Sequence, residues 1–175
     1  MIYLVIILAI LALSFGFVVF RGSPYVPSRK NDIRQALNEL YRLKSDDLLV
    51  DIGSGDGIVL REAAKIGASA VGYEINPILV TISRFLSRNH KKIKIIFADF
   101  WSSQIPDKTT VVYVFSATRD MKKIIEKLQN EATRIGHKLN VISYGSEFDN
   151  IKIIKNVGAY HLYILNPLQS TKAQV

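Results

Sequence analysis

The chain has 175 residues, 49% of them hydrophobic, with a formal net charge of +8 at pH 7 and no cysteine. The absence of cysteine excludes disulfide bonds and zinc sites built from thiolates. The three histidines, at positions 90, 137 and 161, are widely separated and form no metal-ligand pattern, so we expect no metal site.

An uncharged apolar run, from Ile2 to Phe20, opens the chain. As a helix this run would be roughly 28 Å long, which matches the hydrocarbon core of a bilayer. A cleaved signal peptide is the weaker interpretation, because it needs a basic residue before the run and a small-residue cleavage site after it. The sequence therefore predicts one transmembrane helix over residues 1–20, which contacts the lipid bilayer through residues 2–20.

Basic residues follow the apolar run, at positions 21, 29, 30, 34, 42 and 44. The positive-inside tendency then predicts a single-pass membrane protein with its folded domain on the cytoplasmic side, or on the matrix side in an organelle. Anionic headgroups attract such residues, which accounts for much of the basic charge. The domain has no Arg-rich stripe with interleaved aromatic side chains, so we expect no nucleic-acid partner.

The rest of the chain divides into a linker, one domain and a tail. Residues 21–29 form the juxtamembrane linker, residues 30–168 the domain, and the polar residues 169–175 a tail that we expect to be disordered. The domain begins with a helix from about Lys30 to Leu43. One face of this helix is apolar, so it should pack on the domain.

The stretch LLVDIGSGDGIVL, from Leu48 to Leu60, has the pattern of a strand, a glycine-rich loop and a helix. The glycines allow a sharp turn and let a ligand lie against bare backbone. A Walker loop would carry Lys-Ser or Lys-Thr after its last glycine, and the dinucleotide fingerprint spaces its third glycine differently. Neither of these ligand motifs fits the spacing of Gly53, Gly55 and Gly57.

Carboxylates mark the ends of the next two predicted strands. The segment AVGYEINP, from Ala70 to Pro77, reads as a strand ending at Glu74, and IKIIFAD ends at Asp99. Together with Asp51, these acids should line the carboxyl edge of a parallel sheet, where ligands bind in open α/β folds. The alternative for each acid is a helix cap or a solvated loop residue.

The remaining segments complete a doubly wound α/β fold. A fourth strand VVYVF, a helix from about Asp120 to Arg134 and a fifth strand KLNVISY precede IKIIKNVGAYHLYIL, which should form the last two strands around a tight turn at Asn156-Val157-Gly158. There is no room for full helices after the third and fifth strands. The prediction is a seven-stranded, mostly parallel sheet in a minimal fold with some helices missing.

The pattern Asp-x-Gly-x-Gly-x-Gly, from Asp51 to Gly57, resembles the first motif of the class I S-adenosylmethionine-dependent methyltransferases, which have a Rossmann-like fold. The resemblance implies S-adenosyl-L-methionine as cofactor. Asp51 would face its ammonium group, Glu74 would accept its ribose hydroxyls, and Asp99 would lie near its adenine amino group. The full set of predicted cofactor-binding residues is Asp51, Gly53, Ser54, Gly55, Asp56, Gly57, Glu74, Asn76 and Asp99.

A narrower resemblance rests on the order of motifs. An N-terminal apolar span, the segment PYVPS, a helix, DIGSGDG and GYEINP follow one another. This order is similar to that of the small membrane-anchored protein-lysine methyltransferases, whose eukaryotic members are mitochondrial and modify the c subunit of ATP synthase and the adenine nucleotide translocase. The resemblance covers Phe20 to Trp101 well and the last third loosely. It implies transfer of methyl groups to lysine side chains of a membrane protein.

The same resemblance implies that the segment around Tyr25 folds over the cofactor near its methyl group. Trp101, after the third strand, can form part of that acceptor pocket. Their alternative roles are an interfacial aromatic anchor for Tyr25 and a core position for Trp101. No general base is identified. Methylation of a lipid or of a membrane-partitioned small molecule stays open, as does a cofactor-binding module without activity.

Overall fold

The computed structural model describes residues 2, 3, 5, 6, 30–115, 120–145, 147, 148 and 151–168. The strands are β1 Leu48–Ile52, β2 Ser69–Glu74, β3 Ile93–Phe97, β4 Val111–Phe115, β5 Leu139–Tyr144, β6 Lys155–Val157 and β7 Tyr160–Leu165. The α-helices of the described domain are α1 Lys30–Gln35, α2 Ile58–Ile66, α3 Pro77–Ser87 and α4 Met121–Ile135. Helix α1 continues as a π-helix over Ala36–Tyr41, and a 3₁₀ helix over Phe100–Ser102 follows β3.

The strands form a single seven-stranded sheet in the order β3-β2-β1-β4-β5-β7-β6. The pairs among β1 to β5 are parallel, while β7 is antiparallel to both of its neighbours. The predicted seven-stranded, mostly parallel sheet is confirmed. Because β1 lies between β2 and β4, the chain reverses its direction of travel across the sheet at β1, and a crevice opens at that point.

Helices cover both faces of the sheet, which explains why the central strands are apolar throughout. On one face Leu49 packs in a cluster with α1, the π-helix and α2. On the other face Val50 and Ile52 pack in a cluster with α4. The alternation of side chains along β1 thus divides its residues between two hydrophobic cores.

The predicted helix over Lys30–Leu43 has two parts. Its apolar face is buried as expected, through Ile33, Ala36, Leu37 and Leu40. The α-helical part ends at Gln35 and the π-helical part at Tyr41, where Arg42 takes the left-handed conformation with φ 61°. That conformation ends the helix before Leu43.

Several predicted boundaries move by one or more residues. Strand β3 ends at Phe97 instead of Asp99, because Asp99 caps the 3₁₀ helix by accepting from the Trp101 N–H at 2.9 Å. Helix α4 begins at Met121, one residue after Asp120. In the final hairpin, Asn156 and Val157 belong to β6, and the turn is made by Gly158 and Ala159.

The predicted membrane span lies almost entirely outside the described residues. Within the part of the chain that the structure describes, no helix is long and apolar enough to cross a bilayer. The PYVPS segment, residues 116–119 of FSATRD and the tail over residues 169–175 also lie outside it.

Candidate functional site

The glycine-rich loop turns sharply over the end of β2. The N–H groups of Gly53 and Ser54 both donate to the carbonyl of Tyr73 at 2.9 Å. Gly53, Gly55 and Gly57 have φ values of 85°, 54° and 79°, in the left-handed region that glycine tolerates. An added Cβ at Gly53 would meet no atom within 4 Å, so the space beside this residue is open.

Two close approaches hold the loop against its neighbours. A Cβ added at Gly72 in β2 would lie 2.5 Å from the Ser54 Oγ and 2.6 Å from Leu60 Cδ1. A Cβ at Gly57 would collide with the Ser83 Oγ from α3. Glycine within a strand marks such a close approach. Gly72 is therefore needed for the loop to pack on β2, a role that its interior position in β2 could have indicated.

Glu74 ties the loop to the end of β2. Its buried carboxylate accepts from the Gly55 N–H at 2.8 Å through Oε2 and from the Asn76 N–H at 2.7 Å through Oε1. Each carboxylate oxygen can accept more than one hydrogen bond. Glu74 thus supports the loop and keeps acceptor capacity for a ligand.

Asp51 lies one row below the loop, in the middle of the sheet. The residue is 3% exposed, and no donor to its carboxylate is found among the described residues. Burial, with further contributions from the carboxylates of Glu74 and Asp56, raises the pKa of Asp51 well above its ordinary value. A buried carboxylate next to other acids is a favourable partner for a cationic ligand group.

A row of side chains crosses the carboxyl edge of the sheet on the face covered by α1 and α2. Ile52 pairs with Tyr73 and Val114, so the next residue, Gly53, lies between Glu74 and Phe115. Beyond Phe115 the row continues through Tyr144 and Tyr160. The open space at Gly53 therefore has a carboxylate on one side and an aromatic side chain on the other.

The aromatic half of this row is in continuous ring contact, stacked between Phe115 and Tyr144 and tilted by 56° between Tyr144 and Tyr160. The Phe115 and Tyr144 rings are parallel to within 18°, with centroids 5.2 Å apart, and the Tyr144 and Tyr160 centroids are 4.7 Å apart. Burial, opposed by a hydrogen bond with Tyr113 and reinforced by Asp32, raises the pKa of Tyr160. We call Phe115, Tyr144 and Tyr160 the aromatic row. This row was not predicted from the sequence, although β4 and β5 each end in an aromatic residue.

Three of the predicted cofactor-binding residues have structural roles as well. Asp56, two residues before the start of α2, accepts from the Ile58 N–H at 3.1 Å and pairs with Arg61 at 3.0 Å. Asn76 caps α3 by accepting from the Ile78 N–H at 2.9 Å. Asp99 caps the 3₁₀ helix. Among the three strand-end acids, the cap alternative is thus realised for Asp99, whereas Glu74 binds the glycine loop and Asp51 has no donor among the described residues.

Trp101 is 46% exposed, so the alternative of a core position is wrong. Its ring lies beside Phe100, with centroids 5.8 Å apart, and its carbonyl accepts from Lys127 of α4 at 3.2 Å. The segment after β3 is thereby held to the α4 side, whereas the aromatic row lies on the α2 side. Tyr25 lies outside the described residues.

The sheet order, the glycine loop after β1 and the acidic end of β2 define a class I methyltransferase. A model of the ANTKMT methyltransferase domain matches residues 51–155. The chain belongs to this family, and the predicted class and the predicted cofactor, S-adenosyl-L-methionine, are confirmed.

Relatives with named activities match more than half of this chain. A lysine N-methyltransferase of the ATP synthase c-subunit, from Xenopus laevis, is 37% identical over 111 residues, which are 62% of this chain and 48% of that protein. A protein-lysine N-methyltransferase from Saccharolobus islandicus is 32% identical over 115 residues, which are 62% of this chain and 69% of that protein. The chain spans about half the length of the vertebrate relatives.

Among solved structures, an RNA methyltransferase from Salinibacter ruber in complex with S-adenosyl-L-homocysteine superposes with a TM-score of 0.75. It is 23% identical to this chain, and the match covers 83% of this chain and 97% of that one. This likeness concerns the fold.

Proposed function

We propose that this protein is a membrane-bound S-adenosylmethionine-dependent methyltransferase that modifies lysine side chains of a membrane protein. The observation that carries the proposal is the row at the sheet edge, with Glu74 on one side of the open space at Gly53 and the aromatic row on the other, and with Asp51 one row below. The lysine methyltransferases among its relatives support the choice of acceptor.

The carboxylate side fits the cofactor. Asp51 would hold its ammonium group and Glu74 its ribose hydroxyls, while the bare backbone at Gly53 and Gly55 allows close approach. The Ser54 Oγ is buried without a hydrogen-bond partner among the described residues, so it can also serve the ligand. When bound, S-adenosylmethionine supplies a methyl group on a positively charged sulfur, an electrophile for an amine. Asp99 would serve the adenine end of the cofactor. Asn76 and Asp56, at the starts of α3 and α2, would also line the cofactor site.

The aromatic side suits the acceptor. A lysine has a pKa near 10.4 in water and must lose its proton before its amine can act as a nucleophile. Stacked rings provide an apolar wall along the aliphatic chain of a lysine, and a low-dielectric slot lowers the pKa of the amine by penalising its charged form. The described residues hold no evident base, so the proton would pass to water, and alignment would supply most of the acceleration.

Two further residues belong to the proposal through the family resemblance. The Tyr25 segment would close over the site from the N-terminal side, and Trp101 would cover it from the α4 side. Helix α1 begins at Lys30, and its Asp32 lies close enough to Tyr160 to raise the pKa of that phenol. This contact joins the start of α1 to the aromatic row, and the Tyr25 segment precedes that start in the sequence.

The membrane part of the proposal rests on the apolar run from Ile2 to Phe20 and on the basic residues after it. A retained helix over residues 1–20 would hold the domain over residues 30–168 on the cytoplasmic or matrix side. An acceptor lysine near the bilayer surface would then lie within reach of the site.

The test is methyl transfer by the full chain, with radiolabelled cofactor and membranes as the source of acceptor. We expect label in protein, recovered as methyl-lysine after hydrolysis. Replacing Tyr144 by Leu should lower turnover about tenfold or more through lost alignment, shift the pH dependence of the rate to higher pH, and leave cofactor affinity nearly unchanged. Tyr144→Phe keeps the ring and should retain most of the rate.

Each alternative has its own signature in the same assay. Label that partitions into organic solvent indicates a lipid or a membrane-partitioned small molecule and contradicts lysine methylation. Cofactor binding without any transfer indicates a binding module. Equal rates for Tyr144→Leu and the unmodified chain would remove the aromatic row from the acceptor site.

A further inference from the structure

Helix α3 has an inverted distribution of polarity. Its buried positions include Ser83 and Ser87, which are 0% and 4% exposed. Its outward positions are apolar and exposed: Ile78 37%, Ile82 41%, Phe85 63% and Leu86 44%. The spacing i, i+4, i+7 and i+8 places these four side chains on one side of the helix. We call them the α3 outer face.

Packing against the glycine loop explains the inner side of α3. The Ser83 Oγ approaches Gly57 so closely that no side chain fits at Gly57. Small residues on the inner side let the helix approach the loop. The outer face has no such reason to be apolar, since nothing in the described residues covers it. Contiguous exposed apolar surface of this kind marks an interaction site.

The edge strand β3 contributes a further exposed apolar side chain near the α3 outer face. Phe97, at the end of β3, is 57% exposed. Ile93 and Ile95 pack against the cluster formed with α2, and side chains alternate along a strand. Phe97 therefore points to the α2 side of the sheet. Helix α3 lies on this side too, with its Ser83 beside Gly57 at the start of α2. Phe97 thus adds one exposed apolar side chain at the sheet edge beside Glu74, with which it pairs.

Basic residues border this apolar surface. The stretch from Ile75 to Ala98 contains Arg84, Arg88, Lys91, Lys92 and Lys94 but no Asp or Glu. Lys94 alternates with Ile93 and Ile95 and points to the opposite face of the sheet, so the border is formed by the other four. The Arg88 guanidinium lies 4.3 Å from the centroid of the Phe85 ring, at the margin of the outer face. Arg84 donates to the Ile95 carbonyl at 3.0 Å, which holds it between the helix and the edge strand.

We propose that the α3 outer face docks on an anionic lipid surface. An apolar stripe flanked by cations is the pattern of a helix that lies in the membrane interface, and each Lys or Arg near an anionic surface contributes about 1 kcal/mol. The charge favours lipid over an apolar protein groove, because every charge in the stretch is positive. This inference deepens the membrane part of the proposed function and does not depend on the methyl acceptor.

Docking in this way has a consequence for the site. Asn76 caps α3 and donates its N–H to Glu74, so the start of the docked helix is joined to the carboxylate side of the site. The carboxyl edge of the sheet would lie at the level of the headgroups. A lysine at the membrane surface could then enter without leaving the interface.

The absence of cysteine in the chain allows single-site labelling. Phe85→Cys and Ile82→Cys would carry an environment-sensitive fluorophore, with Glu126→Cys on the exposed side of α4 as matched control. The full chain is reconstituted into phosphatidylcholine vesicles, with or without phosphatidylglycerol, that contain lipids brominated on their acyl chains. We expect quenching at positions 82 and 85 and little at 126, stronger by about twofold or more with anionic lipid at low salt.

Charge reversal tests the basic border separately. Arg84→Glu combined with Arg88→Glu should remove the extra quenching in anionic vesicles and leave that in neutral vesicles unchanged. Quenching at 82 and 85 no greater than at 126 would overturn the proposal. Labels shielded from aqueous iodide but not quenched by lipid would also overturn it, because they indicate cover by the chain's own N-terminal segment or by a second copy.

These outcomes are separate from the fate of the enzyme proposal. A chain whose labels are quenched by lipid but which transfers no methyl group keeps the docking surface and loses the reaction. A chain that methylates lysine without lipid quenching at these positions keeps the reaction and loses the docking surface.

Discussion

Asp47 and Asp51 are both buried aspartates of the β1 region, yet their carboxylates have opposite surroundings. Asp47 accepts from the Lys44 N–H at 2.8 Å, the Tyr41 hydroxyl at 3.1 Å and the Thr110 hydroxyl at 2.7 Å. Asp51 has no donor among the described residues. Asp47 therefore stabilises the fold, while Asp51 keeps its hydrogen-bonding capacity for a ligand at the expense of stability.

Replacing Asp51 by Asn should stabilise the protein while weakening cofactor binding. Because the pKa of Asp51 is raised in the folded state, the folded chain retains a proton that the unfolded chain loses. Stability therefore falls as pH rises from the ordinary aspartate value through the raised one. We expect Asp51→Asn to increase the free energy of unfolding at pH 7 by about 1–3 kcal/mol, and to have no such effect near pH 3.

Urea unfolding of the full chain in detergent, at pH 3 and pH 7, measures this difference, and calorimetric titration measures the loss of cofactor affinity. Asp47→Asn is the matched control and should destabilise the protein at pH 7, because its carboxylate is fully hydrogen-bonded. A loss of stability at pH 7 for Asp51→Asn as well would show that its carboxylate has a stabilising partner.

At the scale of elements, buried glutamates link neighbouring elements through hydrogen bonds. Glu62 of α2 accepts from Arg34 of α1 at 2.5 Å and from Lys65 at 2.7 Å. Burial would raise its pKa, but hydrogen bonds and charge attraction from these two cations outweigh burial and lower it. Glu74 joins the glycine loop to the start of α3, because its carboxylate accepts from the Gly55 and Asn76 N–H groups. Helix α1 and the loop are thus both held to the α2 side of the sheet.

Replacing Glu74 by Ala should loosen the loop as well as remove a ligand contact. We expect cofactor affinity to fall by about 1.5–3 kcal/mol, the range for a hydrogen bond to a charged group, and amide exchange at Gly55 and Asn76 to accelerate. Glu74→Gln keeps one acceptor oxygen and should lie between the two. Hydrogen exchange and calorimetric titration on the full chain give both quantities.

Glu39→Ala is the control for this pair, because Glu39 is exposed and its carboxylate accepts only from the Gln35 amide among the described residues, at 3.2 Å. It should change neither quantity. Faster exchange at Gly55 without loss of affinity would mean that Glu74 supports the loop but does not contact the cofactor. Unchanged affinity and exchange together would remove Glu74 from the site.

For the whole molecule, one sheet separates two hydrophobic cores, and the site occupies the edge where both meet the glycine loop. The α4 core combines buried strand residues with α4 residues at helical spacing, such as Ile124, Leu128 and Ala132. On the other face, α3 turns its apolar side outward. On the α4 face the apolar side chains of the helix are directed into the core. On the α3 face the exposed side of the helix is apolar and suits a further contact.

A retained N-terminal helix predicts that the protein resists extraction by alkaline carbonate. With the domain on the cytoplasmic side, trypsin added there should cleave after Lys172 in the tail, and mass spectrometry should detect the loss of the last three residues. Trypsin added to the opposite side of sealed membranes is the control and should not cleave. A mature chain that begins after Phe20 and is found in the soluble fraction would contradict the anchor.

The local pattern of the sequence determined most of the elements, and with them the glycine loop and strand-end acids on which the proposed cofactor site rests. The glycine spacing after Asp51, the strand ending at Glu74 and the helix that follows the glycine loop are all local features, since backbone conformation depends on neighbouring residues. The seven strands, the helix before β1 and the helix after β4 were predicted from the same periodicities. Boundaries such as the end of β3 were missed because the side chain of Asp99 caps the next turn.

Only the tertiary structure decided which distant residues stand together. Phe115, Tyr144 and Tyr160 come from three strands, and they form one row because the register of β4, β5 and β7 aligns them. The need for glycine at position 72 depends on where Ser54 and Leu60 pack. The outward apolar side of α3 depends on which side of the helix faces the loop. Such features arise from packing between segments that are remote in the chain, a property that local periodicity does not contain.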